Sequence, residues 1–345
     1  MKNIQRVLLT GASGTIGHEI LKQLCEAKDK YEITVFGRKS RRAVRAFKPY
    51  KKEIKIVYGD INNPNDLMKV CTDKDVVMHL LGILPPLADE KPKLAHKVNV
   101  FGTENLIRHL EQYSPQAFFL YSSSISVYGD RLENPYISVN DKLNPSMGDE
   151  YAKSKILVEN VVQNSKLDWS ILRLTVIMGG HTVSKIMFRQ PLETPMEIAT
   201  VKDAARAFIN AIDKREQLSK KIFNLGGGEK CRITYGEFLS QMFSVFGLGK
   251  LNFPPKTFAE YNFSCGYYKD GDELEEILNF RKDTLQTYFE REQKKISFLL
   301  KTAASIVKKP FKLYLKSLSE PLKAYKNKDE KKMLQYFKPD TYKQK

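Results

Sequence analysis

The sequence is poor in cysteine, with four in 345 residues, and no two of them form a CxxC pair. This low count and wide spacing exclude a disulfide-stapled secreted domain. Each thiol is therefore predicted to be buried and reduced, which favours a cytoplasmic protein. The chain also lacks a long hydrophobic run, because no apolar stretch in it reaches the ~18 residues of a membrane-spanning helix.

Metal-ligand patterns are missing as well. The five histidines, the four cysteines and the carboxylates show no spacing typical of a metal site, so no metal is predicted. Lys2 and Arg6 precede the first apolar run, but this run leads directly into a glycine-rich segment and has no cleavage site. We interpret it as a first strand and not as a signal peptide.

The positive charge is concentrated at one end of the chain. The net charge is +17, and the final 65 residues contain 18 Lys and Arg against 7 Asp and Glu, a surplus of +11. The strong positive field therefore belongs to a tail and is not a property of the remaining body.

The length of 345 residues suits about two domains. Strands rich in Val, Ile and Leu alternate with amphipathic helices, a pattern that predicts an α/β fold with a doubly wound parallel sheet covered on both faces. The predicted strands cover 6–10, 31–37, 53–60, 75–82, 116–124 and 168–179. The predicted helices cover 17–27, 65–73, 96–113 and 150–165.

The segment TGASGTIG joins the first strand to the first helix and carries Gly11, Gly14 and Gly17. Gly11 suits a tight turn, Gly14 lets a pyrophosphate approach the backbone, and Gly17 lets the helix pack on the sheet. The free N–H groups of the helix start would then face the phosphates. A plain strand–turn–helix remains the alternative.

Two further segments, LYSSSISVYGD from Leu120 and YAKSK from Tyr151, accompany that glycine loop. Together the three resemble the extended branch of the short-chain dehydrogenase/reductase superfamily, which holds UDP-galactose 4-epimerase and other NAD-dependent epimerases and dehydratases. YGDINN and NVFGTENLI match the branch in the same order, and the resemblance covers roughly residues 4–245. It implies a Rossmann-type sheet with a small C-terminal substrate domain.

The resemblance also implies a catalytic set of Ser124, Tyr151 and Lys155. Tyr151 and Lys155 lie four apart on a predicted helix and so share a face. A nearby ammonium and a positive nicotinamide ring would lower the tyrosine pKa from about 10 towards neutrality. Tyr151 would then exchange a proton with a substrate hydroxyl, and Ser124 would hold that oxygen. Ser124 is chosen by register, with Ser123 as the lesser candidate.

The expected cofactor is NADP, with NAD as the alternative. Arg38 follows Gly37 where NAD enzymes usually place an acid, and an arginine there fits a 2′-phosphate. A solvated basic loop is the competing interpretation. The predicted cofactor-binding residues are Gly11, Ser13, Gly14, Thr15, Ile16, Arg38, Asp60, Ile61, Leu81, Gly82, Asn99, Tyr151, Lys155 and Thr175.

Departures from the family pattern weaken any assignment of a substrate. Thr175 stands where the branch usually has Asn-Val-Tyr-Gly-Pro, and only about twenty residues separate Gly180 from Val201. The acid–base pair of the dehydratases is absent after Ser124. We therefore predict an NAD(P)-dependent oxidoreductase or epimerase acting on a hydroxyl or carbonyl carbon, with a nucleotide sugar among the candidate substrates. A non-catalytic NAD(P)-binding scaffold and a membrane-surface partner protein are the alternatives.

The domain boundaries follow from these patterns. We predict a dinucleotide-binding domain over 1–175 to which 196–226 return, a substrate-binding domain over 176–195 and 227–290, and a basic helical extension over 291–345.

In the extension, apolar residues recur at steps of three and four while lysines fill the other positions. Pro310 and Pro321 are expected to break or bend this helix. The apolar positions are Leu300, Ala303, Val307, Phe311, Tyr314, Leu318 and Leu322. The extension docks on the body, lies on an anionic membrane at the inner face, or binds a partner, and nucleic-acid binding is not expected. Besides a small-molecule substrate, a homodimer is left open.

Overall fold

The computed structural model describes residues 4–179 and 183–338. Its strands are β1 (Gln5–Thr10), β2 (Tyr31–Gly37), β3 (Ile54–Tyr58), β4 (Val76–His79), β5 (Phe118–Ser124), β6 (Tyr136–Ile137), β7 (Asp168–Leu174), β8 (Val176–Met178), β9 (Pro195–Thr200), β10 (Lys221–Leu225), β11 (Arg232–Thr234) and β12 (Tyr267–Tyr268).

Fifteen α-helices lie in the described residues, and the glycine loop separates the first of them, α1, from β1. They are α1 (Thr15–Glu26), α2 (Arg41–Phe47), α3 (Pro64–Met68), α4 (Leu87–Glu90), α5 (Pro92–His96), α6 (Gly102–Tyr113), α7 (Glu150–Gln163), α8 (Val201–Asn210), α9 (Arg215–Leu218), α10 (Tyr235–Val245), α11 (Gly271–Leu278), α12 (Leu285–Lys295), α13 (Phe298–Leu318), α14 (Glu320–Lys326) and α15 (Glu330–Tyr336).

Seven of these strands form the central sheet, in the order β10-β7-β5-β4-β1-β2-β3, and all neighbours are parallel. Buried apolar clusters cover both faces, which confirms the predicted α/β doubly wound fold. The strand order reverses between β1 and β4, so a crevice opens at their carboxyl ends, where ligands of such sheets bind.

Two strand predictions need correction. The predicted strand 168–179 is split at Thr175, because β7 stays in the central sheet while β8 pairs with β9. The seventh strand, β10, was not predicted from the sequence. It pairs with β7 at the sheet edge.

A second, smaller sheet carries the chain away from the crevice. β9 pairs in parallel with β8 and antiparallel with β11. Aromatic residues fill its core, including Phe188, Phe238 and Phe243. α8, which follows β9, packs instead against α1 of the dinucleotide-binding part. The four cysteines are buried and unpaired, as the sequence predicted, and burial raises the pKa of each thiol to about 12.

The C-terminal extension docks on the small domain. α13 runs through Pro310 without a break, and the helix ends before Ser319, whose side chain caps α14. Leu315 is 1% exposed and joins the aromatic core of the small domain, with Phe311 and Leu318 packed beside it. Residues 339–345 of the predicted extension lie outside the described residues. No described helix is both long and apolar enough to cross a membrane.

A chain of ion pairs connects the extension to the central part. Arg189 donates from Nε to Glu320 at 2.6 Å and from Nη1 to Asp89 at 3.2 Å. Asp89 lies on α4, which packs against α7. Arg189 therefore links the start of α14 to α4.

Candidate active site

The glycine loop forms the floor of the crevice. Gly11 has φ +76°, and a Cβ atom there would lie 2.7 Å from the backbone of Leu80 and Leu81. Gly14 occupies the N-cap position of α1 without a side-chain hydrogen bond to the helix. The first N–H groups of α1 thus have no side-chain cap. This arrangement fits the pyrophosphate of a dinucleotide, which would accept from those groups.

The other predicted cofactor residues lie at the same edge because the strands that precede them are parallel. Ser13, Thr15 and Ile16 lie at the start of α1, and Arg38, Asp60, Leu81 and Gly82 follow β2, β3 and β4. Two of them serve the core as well: Ile16 packs on one apolar cluster, and the 3% exposed Ile61 lies under Gly102.

Arg38 begins an exposed basic loop after β2. Among residues 4–179 and 183–338, no hydrogen bond or ion pair engages the Arg38 guanidinium. Ser40 has a local role, since its Oγ accepts from Ala43 N at 3.1 Å and caps α2. Asp60, at the end of the neighbouring strand, accepts from the backbone of Asn62 at 2.9 Å. The loop therefore presents a free guanidinium beside a carboxylate that already has a partner.

Asn99 and Thr175 hold the protein's own backbone. Asn99 lies in a π-helical turn before α6, accepts from Ile83 N at 2.7 Å and donates to Ser154 Oγ at 3.1 Å. Thr175 is buried and donates to the carbonyl of Glu197 at 2.5 Å. Asn99 thus fastens the loop after β4 to α7, and Thr175 fixes the point where the chain passes to the small sheet.

The hydroxyls of Ser123 and Ser124, at the end of β5, point to opposite sides of the sheet because side chains alternate along a strand. Ser123 points inward, is 2% exposed and donates to Glu159 Oε1 at 2.5 Å. Ser124 points the other way, is half-buried, and lies near enough to the Tyr151 hydroxyl to lower its pKa. Its Oγ also accepts from Ser126 N at 3.2 Å. The structure thus brings Ser124 and Tyr151 together and commits Ser123 to an internal partner.

Lys155 lies on the same face of α7 as Tyr151, with its Nζ 5.5 Å from the Tyr151 ring centre. The Nζ donates to the carbonyl of Ser122 at 2.5 Å and lies 4.6 Å from the Tyr121 ring centre. Burial lowers the pKa of Lys155 to about 7, although the nearby Glu159 carboxylate opposes this effect.

The pKa of Tyr151 moves in the direction opposite to the one that the sequence predicted. Burial of Tyr151 itself, with a smaller contribution from the Asp149 carboxylate, raises it above 10, and the nearby Ser124 hydroxyl only partly offsets the rise. The sequence pattern does not show this burial. In this state Tyr151 is a phenol at neutral pH and can donate a proton.

Asp149 caps α7 just before Tyr151. Its Oδ1 accepts from Ala152 N at 2.7 Å, and burial raises the pKa of its carboxyl to about 6. His79, at the end of β4, hydrogen-bonds Thr10 and Thr103 on its two ring nitrogens. Burial lowers the pKa of His79 to about 3, so this ring is neutral.

A buried ion pair behind the site was missed by the sequence analysis. Arg173 on β7 and Glu159 on α7 are 4% and 1% exposed at their side chains and pair at 2.7 Å. Arg173 also donates to Tyr128 at 2.7 Å and to the carbonyl of Val139 at 2.9 Å. The signal was present, because Glu159 follows Lys155 by one helical turn and Arg173 interrupts an apolar strand.

The sequence and the fold of this chain are similar to those of known proteins. The family model for the NAD dependent epimerase/dehydratase family matches residues 7–226. The chain belongs to this family. The family resemblance predicted from the sequence motifs is thereby confirmed.

Two curated relatives show the range of this similarity. The 3 beta-hydroxysteroid dehydrogenase type 7 of Mus musculus is 28% identical over 199 residues, 54% of this chain and 54% of that protein. The chain therefore spans about half the length of that relative. The D-erythronate dehydrogenase of Cupriavidus necator is 24% identical over 249 residues, 64% of this chain and 76% of that protein.

A solved structure shares the fold over most of the chain. The UDP-glucuronic acid 4-epimerase from Bacillus cereus, in complex with UDP-glucuronic acid and NAD, has a TM-score of 0.70 and 18% sequence identity. The match covers 84% of this chain and 98% of that one. The common architecture is therefore the extended Rossmann-type fold with its small second domain.

Proposed function

We propose that this protein is an NAD(P)-dependent oxidoreductase or epimerase that acts on a hydroxyl or carbonyl carbon of a small molecule. The observation that supports this most is the proximity of Ser124 and Lys155 to Tyr151, with Lys155 Nζ 5.5 Å from the Tyr151 ring centre, at the edge of the sheet that carries the glycine loop. A scaffold that only bound a nucleotide would need the loop but not the two hydroxyls.

The residues divide the work by position. The loop from Gly11 to Gly14 and the start of α1 would hold the pyrophosphate, and Lys155 would bind the nicotinamide ribose. When bound, the nicotinamide accepts a hydride from the substrate carbon or returns one to it. Tyr151 would transfer the proton at the substrate oxygen, and Ser124 would hold this oxygen in line by donating a hydrogen bond.

The protonation state of Tyr151 favours reduction of a carbonyl as the first direction of the reaction. The pKa of Tyr151 is raised by burial, so the phenol is protonated at neutral pH and can act first as the acid that reduction of a carbonyl requires. Its action as a base requires a nearby positive charge that stabilises the tyrosinate.

The test compares Tyr151→Phe, Ser124→Ala and, as the matched control, Ser123→Ala. A panel of hydroxylated substrates that includes nucleotide sugars is followed by the absorbance of the reduced cofactor, and cofactor affinity is measured separately by fluorescence. We expect Tyr151→Phe to lower turnover by roughly 10²–10⁴-fold while leaving cofactor affinity within a few-fold.

Ser124→Ala should lower turnover in the same manner. Ser123→Ala should instead lower stability, since it removes a partner of the buried Glu159, and should keep most of the turnover. Equal losses in the two serine variants, or an active Tyr151→Phe protein, would contradict the assignment. Tight cofactor binding with no turnover on any substrate of the panel would favour the scaffold.

We further propose that NADP is preferred over NAD through Arg38. The support is the exposed guanidinium that follows β2 where NAD enzymes carry an acid, with Lys39, Arg41 and Arg42 beside it. A charged hydrogen bond to phosphate contributes roughly 1.5–3 kcal/mol, so Arg38→Ala should weaken NADP binding by roughly 10–150-fold and leave NAD binding unchanged. Lys55→Ala, an exposed cation on β3, is the control. Equal affinities for both dinucleotides, unaffected by Arg38→Ala, would remove the proposal.

A further inference from the structure

α13 carries a second apolar face that points away from the protein. Leu299, Ile306 and Leu313 repeat every seven residues and are 78%, 77% and 60% exposed, and Val307 and Tyr314 beside them are 51% and 54% exposed. At 1.5 Å per residue this stripe is about 22 Å long. A continuous exposed row of this kind differs from the scattered single apolar residues of ordinary surfaces.

The face is exposed although the helix itself is firmly attached. The opposite side of α13 contributes Leu315 to the core of the small domain. Lys312 donates from Nζ to the carbonyl of Lys250 and to Asn252, both at 2.6 Å. Docking therefore fixes the outward direction of the stripe.

This observation corrects the predicted amphipathic pattern. Phe311 and Leu318, whose face the sequence analysis left open between docking on the body and lying on a membrane, pack against the small domain, so they are not available to a membrane. The side chain of Leu300 lies outside the described residues. The outward stripe instead contains Leu299, Ile306 and Leu313, none of which the sequence analysis selected.

The charge around the stripe has one sign. Residues 293–319 contain seven lysines and no aspartate or glutamate. Lys309 and Lys316 follow Ile306 and Leu313 by three residues and so border the stripe on the helix surface. A second copy of the chain would place these lysines against each other. An anionic surface with an apolar interior would satisfy both the lysines and the stripe.

We propose that α13 binds the surface of an anionic lipid bilayer, with the stripe in the boundary between headgroups and acyl chains and the lysines at the lipid phosphates. Tyr314 suits this depth because its ring is apolar and its hydroxyl is polar. The site is separate from the proposed catalytic residues, and the inference does not depend on the proposed function.

Flotation of the full-length protein with vesicles tests the inference. Phosphatidylcholine vesicles with and without phosphatidylglycerol are compared at low and high salt. Wild type should bind only the anionic vesicles and should lose binding as salt rises, because exposed charges are screened. The double variant Ile306→Ser/Leu313→Ser should lose at least tenfold in affinity. Lys309→Gln/Lys316→Gln should lose about twenty-five-fold at low salt, at about fivefold per lysine.

Met68→Ser is the matched control, since Met68 is 49% exposed on α3, outside the stripe. It should bind as wild type does. All variants should keep the wild-type melting temperature, since the altered side chains are exposed or, in the case of Lys316, half-buried and replaced by a residue with a similar apolar stem. Point variants replace deletion here, because deletion would also remove the buried Leu315. Absence of binding to anionic vesicles, equal binding to neutral ones, or unchanged binding of the double serine variant would each overturn the proposal. Self-association lost in the double serine variant, without vesicle binding, would assign the stripe to a protein interface and overturn it as well.

Discussion

Replacing Lys155 by methionine should make the protein more stable and change how its stability depends on pH. The Lys155 side chain is buried, and its pKa falls from 10.5 to about 7 because burial disfavours the ammonium. The unfolded chain therefore binds a proton that the folded chain does not bind throughout the range between these two values. Within that range, stability rises with pH.

The magnitude follows from the same two values. One proton of difference gives a slope of about 1.4 kcal/mol per pH unit, so the lysine should add about 2 kcal/mol of stability between about pH 8 and about pH 9.5. Integrated over the full shift, holding this group in the folded state costs roughly 4–5 kcal/mol at neutral pH. Methionine keeps most of the apolar stem and has no charge to desolvate.

Urea unfolding of wild type and Lys155→Met at several pH values measures this difference directly. Tyrosines and other lysines also contribute to the pH dependence, but they contribute equally to both proteins and cancel in the comparison. Lys153→Met is the control, because Lys153 is exposed on the same helix and should change neither stability nor its pH dependence by much. Parallel stability curves for wild type and Lys155→Met would show that Lys155 is not desolvated, and the argument would fail.

Two further variants test the surroundings of the site. Glu159→Gln should destabilise the fold by about 3–5 kcal/mol in urea unfolding, because it leaves the buried Arg173 without its counter-charge, and a loss below about 1 kcal/mol would contradict this. Asp149→Asn should keep the helix cap while removing the charge that raises the Tyr151 pKa, so the basic limb of the activity profile should move to lower pH. Asp149→Ala should shift that limb equally and also cost about 1 kcal/mol of stability through the lost cap, whereas an unmoved limb in Asp149→Asn would refute the electrostatic effect.

The sequence predicted the main architecture because its signals are local. Continuous apolar strands, amphipathic helices and the Gly11 turn each express a short-range preference, and the parallel sheet is the common way to satisfy them. Side chains alternate along β5, so Ser123 and Ser124 point to opposite sides of the sheet. Register with the family motif had already favoured Ser124 over Ser123 as the catalytic candidate.

The features that were missed depend on contacts between distant segments. No local pattern shows that Thr175 is bonded to Glu197, or that the chain leaves the central sheet there. The direction of the Tyr151 pKa shift depends on how deeply Tyr151 itself is buried, which is a property of the packed site. In α13 two apolar faces overlap in the sequence pattern, and only the position of the small domain decides which of them is covered.

The ion pairs of Arg189 connect the part of the chain that the family model matches to residues far beyond it. The family match ends at residue 226, yet Glu320 lies far beyond it and pairs with Arg189, which also pairs with Asp89 on α4. A protein shortened to the family boundary would lose Glu320 and would leave Phe188, Met196 and Ile198 without the later residues that complete their apolar core. Local opening of α14 would therefore release Arg189 from Glu320 and weaken the link between the extension and α4 while the central sheet stays folded.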